Sequence, residues 1–260
     1  MIGLFDSGVG GLTVLKKFIH RAPGASFVYL GDTARTPYGN KGANTIEKYA
    51  IENTRFLLER GATSIVIACN SVSAVALDAL RKTYPEIPFF DVITPATELV
   101  AADTSIKKIG IIGTRATVGS GVYQDLIHQT RPDAQVVAAA CPLLVPLAEE
   151  GWQGRPETQR IVRRYLKPMR DAQIDALILG CTHYPLLLKE IRSGVHKRVK
   201  IIDSPRAVYE KIAASHPELF SQKENPSQQF FFTDCSEHTA RIAQTWIGRG
   251  IRCELAELEF

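Results

Sequence analysis

The sequence predicts an α/β protein made of two similar, doubly wound, mostly parallel-sheet domains related by internal duplication, with the active site in the cleft between them. Three observations predict it. Short runs rich in Val, Ile, Leu and Phe alternate with segments of helical length, the pattern of parallel strands covered by helices on both faces. Nearly every such run ends on a small or polar residue. Two pairs of segments also repeat: "IGLFDSGVGGLTVLKKF" resembles "IGIIGTRATVGSGVYQDLI", and "VIACNS" resembles "ILGCTH". From Ile2 to Ile109 and from Val66 to Ile178 the separations are 107 and 112 residues, close to one constant.

In chain order, strands are expected over Ile2–Phe5, Phe27–Leu30, Ser64–Ala68, Phe89–Ile93, Lys108–Ile112, Gln135–Ala139, Ala176–Leu179 and Lys200–Ile202. The clearer helices fall between them at Leu12–His20, Thr45–Arg60, Val72–Thr83, Val118–Gln129, Glu157–Asp171 and Leu186–Ser193. Pro37, Pro142, Pro156 and Pro205 mark loops or helix starts, because proline fits the first helical turn and breaks later ones. The tail adds a strand at Gln229–Thr233, a helix at Ser236–Ile247 and a strand near Arg252–Leu255, after a polar connection that begins at His216. Residues 1–92 with 206–260 form the first expected domain and 93–205 the second.

Composition removes several classes of function. The chain has 260 residues, 45% hydrophobic and 22% charged, with a net charge of +4 that is dispersed, so no nucleic-acid partner is implied. No apolar run is long enough to cross a bilayer, and "MIGLFDSGVGG" does not read as a signal peptide. Five cysteines without C-x-x-C spacing argue against a disulfide framework or a zinc ribbon, and a reducing cytoplasm is the expected location.

The polar residues at the strand ends outline a site. In parallel sheets ligands collect beyond the carboxyl ends of the strands, where helix N–H groups point outward. Cys69 and Cys181 occupy matching ends, beside expected helix N-termini whose dipoles favour a thiolate. Two thiols on opposite sides of a pocket suit a racemase: one removes a proton from carbon while the other delivers a proton to the opposite face. Asp6 is placed to orient or deprotonate Cys69. His183, Glu149 and Glu150 are candidates to do the same for Cys181. Ser7, Asn70, Ser71 and Thr182 offer neutral donors to a carboxylate. Gly8, Gly10 and Gly11 are expected to permit a tight turn and to bring backbone N–H groups to a small anion such as a carboxylate, and Tyr38-Gly39 to close over the ligand. "DSGVGG" lacks the lysine and spacing of a P-loop, so nucleotide binding is disfavoured. Cys69, Cys181 and His183 could in principle hold a metal, but the spacing is not that of a zinc site and no metal is expected.

These residues resemble one family, the cofactor-independent glutamate racemases of bacterial cell-wall synthesis. The resemblance rests on "FDSGVGGLTVL", "YLGDTARTPYG", "VIACNS", "IGTRATVGSGVY", "CPLLVPLAEEG" and "LGCTHYPLL", in that order along essentially the whole chain. It implies that Cys69 and Cys181 are the proton donor and acceptor, that Asp6 supports the first thiol, and that His183 and a glutamate of "EEG", with Glu150 preferred, support the second. It also implies glutamate contacts from Asp6, Ser7, Tyr38, Gly39, Asn70, Ser71, Thr182 and His183, no cofactor, a role in peptidoglycan synthesis, and a homodimer as an expected assembly. The chain departs from the family at Ser71 and Val72, where threonine and alanine are usual, and at Ala96, where glycine is usual. With no extension before Ile2, regulation through an amino-terminal addition is not expected. The rival readings are racemisation of aspartate or another acidic amino acid and, from another class, a protein-interaction role that restrains DNA gyrase.

Overall fold

The computed structural model describes residues 1–221, 226–248 and 251–258. Residues 222–225, part of the polar connection that begins at His216, lie outside the described residues. The strands are β1 (Ile2–Asp6), β2 (Phe27–Gly31), β3 (Ser64–Ile67), β4 (Phe89–Asp91), β5 (Lys108–Gly113), β6 (Gln135–Ala140), β7 (Ala176–Gly180), β8 (Lys200–Ile202), β9 (Gln228–Phe232) and β10 (Glu254–Leu255). The helices are α1 (Leu12–Arg21), α2 (Ala43–Glu59), α3 (Asn70–Val75), α4 (Leu77–Thr83), α5 (Thr94–Ala102), α6 (Arg115–Gly119), α7 (Val122–Thr130), α8 (Leu144–Glu149), α9 (Pro156–Tyr165), α10 (Lys167–Asp171), α11 (Leu188–Gly194), α12 (Ser204–Ser215) and α13 (Glu237–Trp246).

Two sheets result, with strand orders β10-β9-β2-β1-β3-β4 and β6-β5-β7-β8, and every pairing is parallel. The order β2-β1-β3-β4 in one sheet is the order β6-β5-β7-β8 in the other. The duplication read from sequence therefore pairs β1 with β5 and β3 with β7, the central strands of each half. Strands β1, β2 and β7 are buried along their whole length, as parallel strands covered on both faces must be. Alternate residues feed opposite cores: Leu4, Phe27 and Tyr29 pack with α1, while Phe5, Val28 and Leu30 pack with α2. In the second sheet Leu177 and Leu179 face one core, Ala176 and Ile178 the other.

Several expected helices are divided, each at an identifiable place. The helix expected over Val118–Gln129 breaks at Gly121, whose φ of 76° is left-handed. The one expected over Glu157–Asp171 breaks at Leu166, two residues before Pro168, which cannot continue a helix. The one expected from Val72 begins instead at Asn70 and pauses at Ala76. That earlier start makes Cys69 the residue that caps α3. The helix expected from Leu186 opens as a 3-10 turn at Tyr184–Leu187, so Cys181 precedes a turn rather than an α-helix. Helix α12 packs on both α1 and α5 and so ties the two halves together.

Candidate active site

A cavity of about 530 Å³ lies where the carboxyl ends of the two sheets meet, and Cys69, Cys181, Asp6 and His183 all line it. Of the residues singled out in sequence, Ser7, Tyr38, Gly39, Asn70, Ser71 and Thr182 line it as well. Strand β1 delivers Asp6 and Ser7, the end of β3 delivers Cys69, and the end of β7 delivers Cys181, so the site follows from strand length and topology.

Cys69 sits among neutral donors and one carboxyl. Its thiol lies 3.4 Å from Ser7 Oγ, and the Val72 N–H of the first turn of α3 also reaches its sulfur. Burial, then the charge of Asp6, pushes this thiol up to about 12 despite those donors. The lowering expected from the helix terminus is outweighed. Asp6 is itself buried, and burial holds its carboxyl above the ordinary range even though His183 and the N–H groups of Gly11 and Gly8 pull it down. Its Oδ2 accepts from Gly8 N at 3.0 Å, while Oδ1 has no N–H or O–H partner. The Cys69 thiol also bonds to this carboxyl.

Cys181 has a different partner. Its sulfur lies 3.7 Å from His183 Nδ1, and the other ring nitrogen, Nε2, lies 2.8 Å from Glu149 Oε1. Burial disfavours a charged imidazole, but the bonds to Cys181 and Glu149 overcome it and push His183 up to about 10. In turn the Glu149 carboxyl, though burial opposes this, is drawn below its usual range by His183. The side facing Cys181 thus carries an imidazolium between a sulfur and a carboxylate, and the side facing Cys69 carries a neutral thiol beside a carboxyl.

Glu150 is corrected by this geometry. It is exposed, at the carboxyl end of α8, while Glu149 reaches His183. Successive helical side chains point about 100° apart, and the burial of Leu144 and Ala148 sets the rotation of α8, so Glu149 takes the inward position.

The glycines of "DSGVGG" form the expected tight turn, with Leu12 N donating to Val9 O at 3.1 Å across Gly10 and Gly11. None of the three has a positive φ among the described residues. Gly10 is needed for close approach: a Cβ there would stand 2.4 Å from Thr182 Oγ1 and 2.4 Å from His183 Cε1. The Thr13 hydroxyl lies 2.9 Å from Gly10 O and 2.9 Å from Thr182 O, which fastens α1 to the loop after β7.

Tyr38 lines the cavity, but its hydroxyl is committed. It bonds to the buried Asp32 carboxylate and receives Asn53 Nδ2 at 3.2 Å. Asp32 also accepts from Arg35 and Thr233, so the loop that presents Tyr38 and Gly39 is held by a buried polar network. Asn70 donates from Nδ2 to Tyr123 Oη at 2.9 Å, leaving Oδ1 without a partner. Ser71 Oγ lies 2.9 Å from Thr114 Oγ1, across the cleft.

Thr114 belongs to the polar strand ends that outline the site in the sequence; sequence reasoning missed Arg115, Tyr123 and Trp246. The Trp246 ring, from the tail helix α13, stands edge-on to His183 with centroids 5.8 Å apart. Arg115 lies in the segment that matches "DSGVGG" in the repeat, a signal that could have found it. Cys141 is buried in the core of the second half, and Cys235 and Cys253 lie in the tail. Among the described residues no group of three His, Cys, Asp or Glu side chains has the arrangement to hold a metal ion. No helix among them is long and apolar enough to cross a membrane.

A family model described as Asp/Glu/Hydantoin racemase matches residues 13–212. The chain belongs to this family of amino-acid racemases, and it is an isomerase. It is 44% identical over 256 residues to a glutamate racemase of Aquifex pyrophilus, covering 98% of this chain and 97% of that one. The solved structure of that enzyme superposes with a TM-score of 0.84 over 100% of this chain and 99% of that chain. A glutamate racemase from Francisella tularensis, solved in complex with D-glutamate, is 34% identical with a TM-score of 0.90, covering 99% of this chain and 97% of that one. An aspartate racemase from Picrophilus torridus, 17% identical over 82% of this chain and 93% of that one with a TM-score of 0.56, shares the fold alone.

Proposed function

We propose that this chain interconverts L- and D-glutamate by transfer of the α-proton between two cysteines, without a cofactor. The observation that carries the proposal is that Cys69 and Cys181, at corresponding strand ends of the two halves, line one cavity with separate acid–base partners. A thiolate on one side takes the α-proton, and the carbanion takes a proton from the thiol on the other side. The two sulfurs exchange protonation states in each turnover, and the product has the inverted configuration. Asp6 serves Cys69; His183, held by Glu149, serves Cys181.

The hard step is removing a proton beside a carboxylate that resists further negative charge. Ser7, Asn70, Ser71 and Thr182 supply neutral donors in a cavity where reduced water strengthens each bond. The two duplicated units, 1–92 with 206–260 and 93–205, act as the jaws of the cleft. D-glutamate for peptidoglycan, made in the cytoplasm by a dimer, is the setting this reading implies.

Circular dichroism of a D-glutamate solution tests the reading. Decay of the signal is expected with the purified protein alone and with chelator present, and not with Cys69→Ser or Cys181→Ser. Full racemisation by either single variant would overturn the two-thiol mechanism. Faster racemisation of aspartate than of glutamate would transfer the proposal to the shorter acid. A gyrase supercoiling assay with the double cysteine variant separates any protein-interaction role from catalysis.

A further inference from the structure

Two of the cavity's own acid–base groups, Asp6 and Glu149, are carboxyls, and the substrate proposed above is a dicarboxylate with a net negative charge. A ligand of that charge is drawn in by a cation on its path, and His183 is buried and already paired with Glu149. Among the described residues lining the cavity, Arg115 is the one Lys or Arg. It is exposed, at the first position of α6, and its Nη1 donates to Asn40 Oδ1 at 3.1 Å.

That bond crosses from the second half of the molecule to the first, where the turn Tyr38–Asn40 faces α6. The halves meet there at two further points. Gly39 approaches Thr114 so closely that a Cβ on it would stand 2.7 Å from Thr114 Cβ. Ser71 and Thr114 share a hydroxyl contact. Arg115 therefore stands beside the contacts that close the cleft. An exposed bond to a neutral acceptor such as Asn40 Oδ1 is readily exchanged for a carboxylate, which a guanidinium can grip with two parallel N–H donors.

We propose that Arg115 is the entry and specificity residue of the cleft: it draws the distal carboxylate of an acidic amino acid to the mouth, and its return to Asn40 latches the halves over the bound substrate. The proposal rests on the dicarboxylate reading above. Arg115 touches neither thiol and takes no part in proton transfer. Its charge acts on the encounter, so its signature is in kcat/KM and in the response to salt.

The test is the dependence of kcat/KM for D-glutamate on ionic strength in the wild type, Arg115→Gln, Arg115→Lys and Asn40→Ala. In the wild type, kcat/KM falls as sodium chloride is raised, because the screening length shortens. Arg115→Gln, which carries no charge and is too short to keep the bond to Asn40 without movement, is expected to lose about tenfold in kcat/KM at low salt, within the range of steering effects, and Asn40→Ala reports the loss of that bond alone. The kcat of Arg115→Gln stays within about twofold and its salt dependence flattens. Arg115→Lys restores the slope. Asn40→Ala keeps the slope and loses only the latch, seen as a faster release of D-glutamate. A wild-type rate insensitive to salt, or an Arg115→Gln variant with the wild-type slope, overturns the proposal; the wild-type measurement stands even if a variant folds poorly. A wild type inert toward both glutamate and aspartate overturns the functional reading and this one together, and is told apart by the absence of any rate to compare.

Discussion

Glu149 Oε1 lies 2.8 Å from His183 Nε2, on the opposite edge of the ring from Cys181. The carboxylate thereby favours one orientation of the imidazole and its charged form, since the neutral ring would give up a partly buried ion pair. His183 keeps its proton up to about 10, with burial opposing and the bonds to Cys181 and Glu149 prevailing.

Replacing Glu149 with Gln should lower kcat about 10- to 100-fold, less than the loss of a direct acid–base group. The sign of the pH effect follows from the raised value: the imidazolium is present below about 10 and lost above it. Without the Glu149 charge, that loss moves toward the ordinary histidine range, so the alkaline limb of the kcat profile shifts to lower pH. Glu150→Gln should match the wild type. Equal losses in the two variants would show that Glu149 is not the partner of His183.

Cys69 gives a second pH effect of known sign. Its thiol is pushed up to about 12, first by burial and then by Asp6, so the thiolate is a minor form near neutrality. In a Cys181→Ser background, alkylation of Cys69 by iodoacetamide should rise about tenfold per pH unit below that value, without a plateau near pH 8.5 where an ordinary thiol levels off. Asp6→Asn removes the like charge and should speed the labelling while abolishing racemisation. Peptide mass spectrometry reads the first effect and circular dichroism the second.

Gly10→Ala places a methyl group against Thr182 and His183. Overpacking of this kind costs about 1–3 kcal/mol, which for a chain of this size lowers the melting temperature by about 2–4 °C per kcal/mol. Because the methyl displaces His183, kcat should fall more than the stability loss alone explains. A variant with wild-type kcat and melting temperature would mean that the loop after β7 yields freely.

Tyr123→Phe removes the acceptor that holds Asn70 Nδ2. The buried amide is then unpaired and free to rotate, at a cost of about 1–3 kcal/mol. Its Oδ1, which has no protein partner, is no longer held in one direction. A several-fold rise in KM with a smaller change in kcat is the expected result, measured in steady-state kinetics with both enantiomers. A change in kcat alone would place Tyr123 elsewhere in the reaction.

By itself the sequence determined the strands, their parallel pairing and the equivalence of the two halves. Alternation of apolar runs with helical segments records burial on both faces of a sheet, and the match of "VIACNS" to "ILGCTH" records a shared position at β3 and β7. It also singled out Cys69, Cys181, Asp6 and His183, because chemistry at a strand end follows from where the strand stops. Tertiary structure decided what depends on rotation and long-range approach. Adjacent glutamates at the end of α8 are alike in sequence, and only the packing of Leu144 and Ala148 turns Glu149 inward. The need for glycine at position 10, within the expected turn, arises from Thr182 and His183, far along the chain, and not from a positive φ. The contacts of Trp246 with His183 and of Arg115 with Asn40 likewise join residues that are distant in sequence; the repeat marks the segment of Arg115 but not its partner.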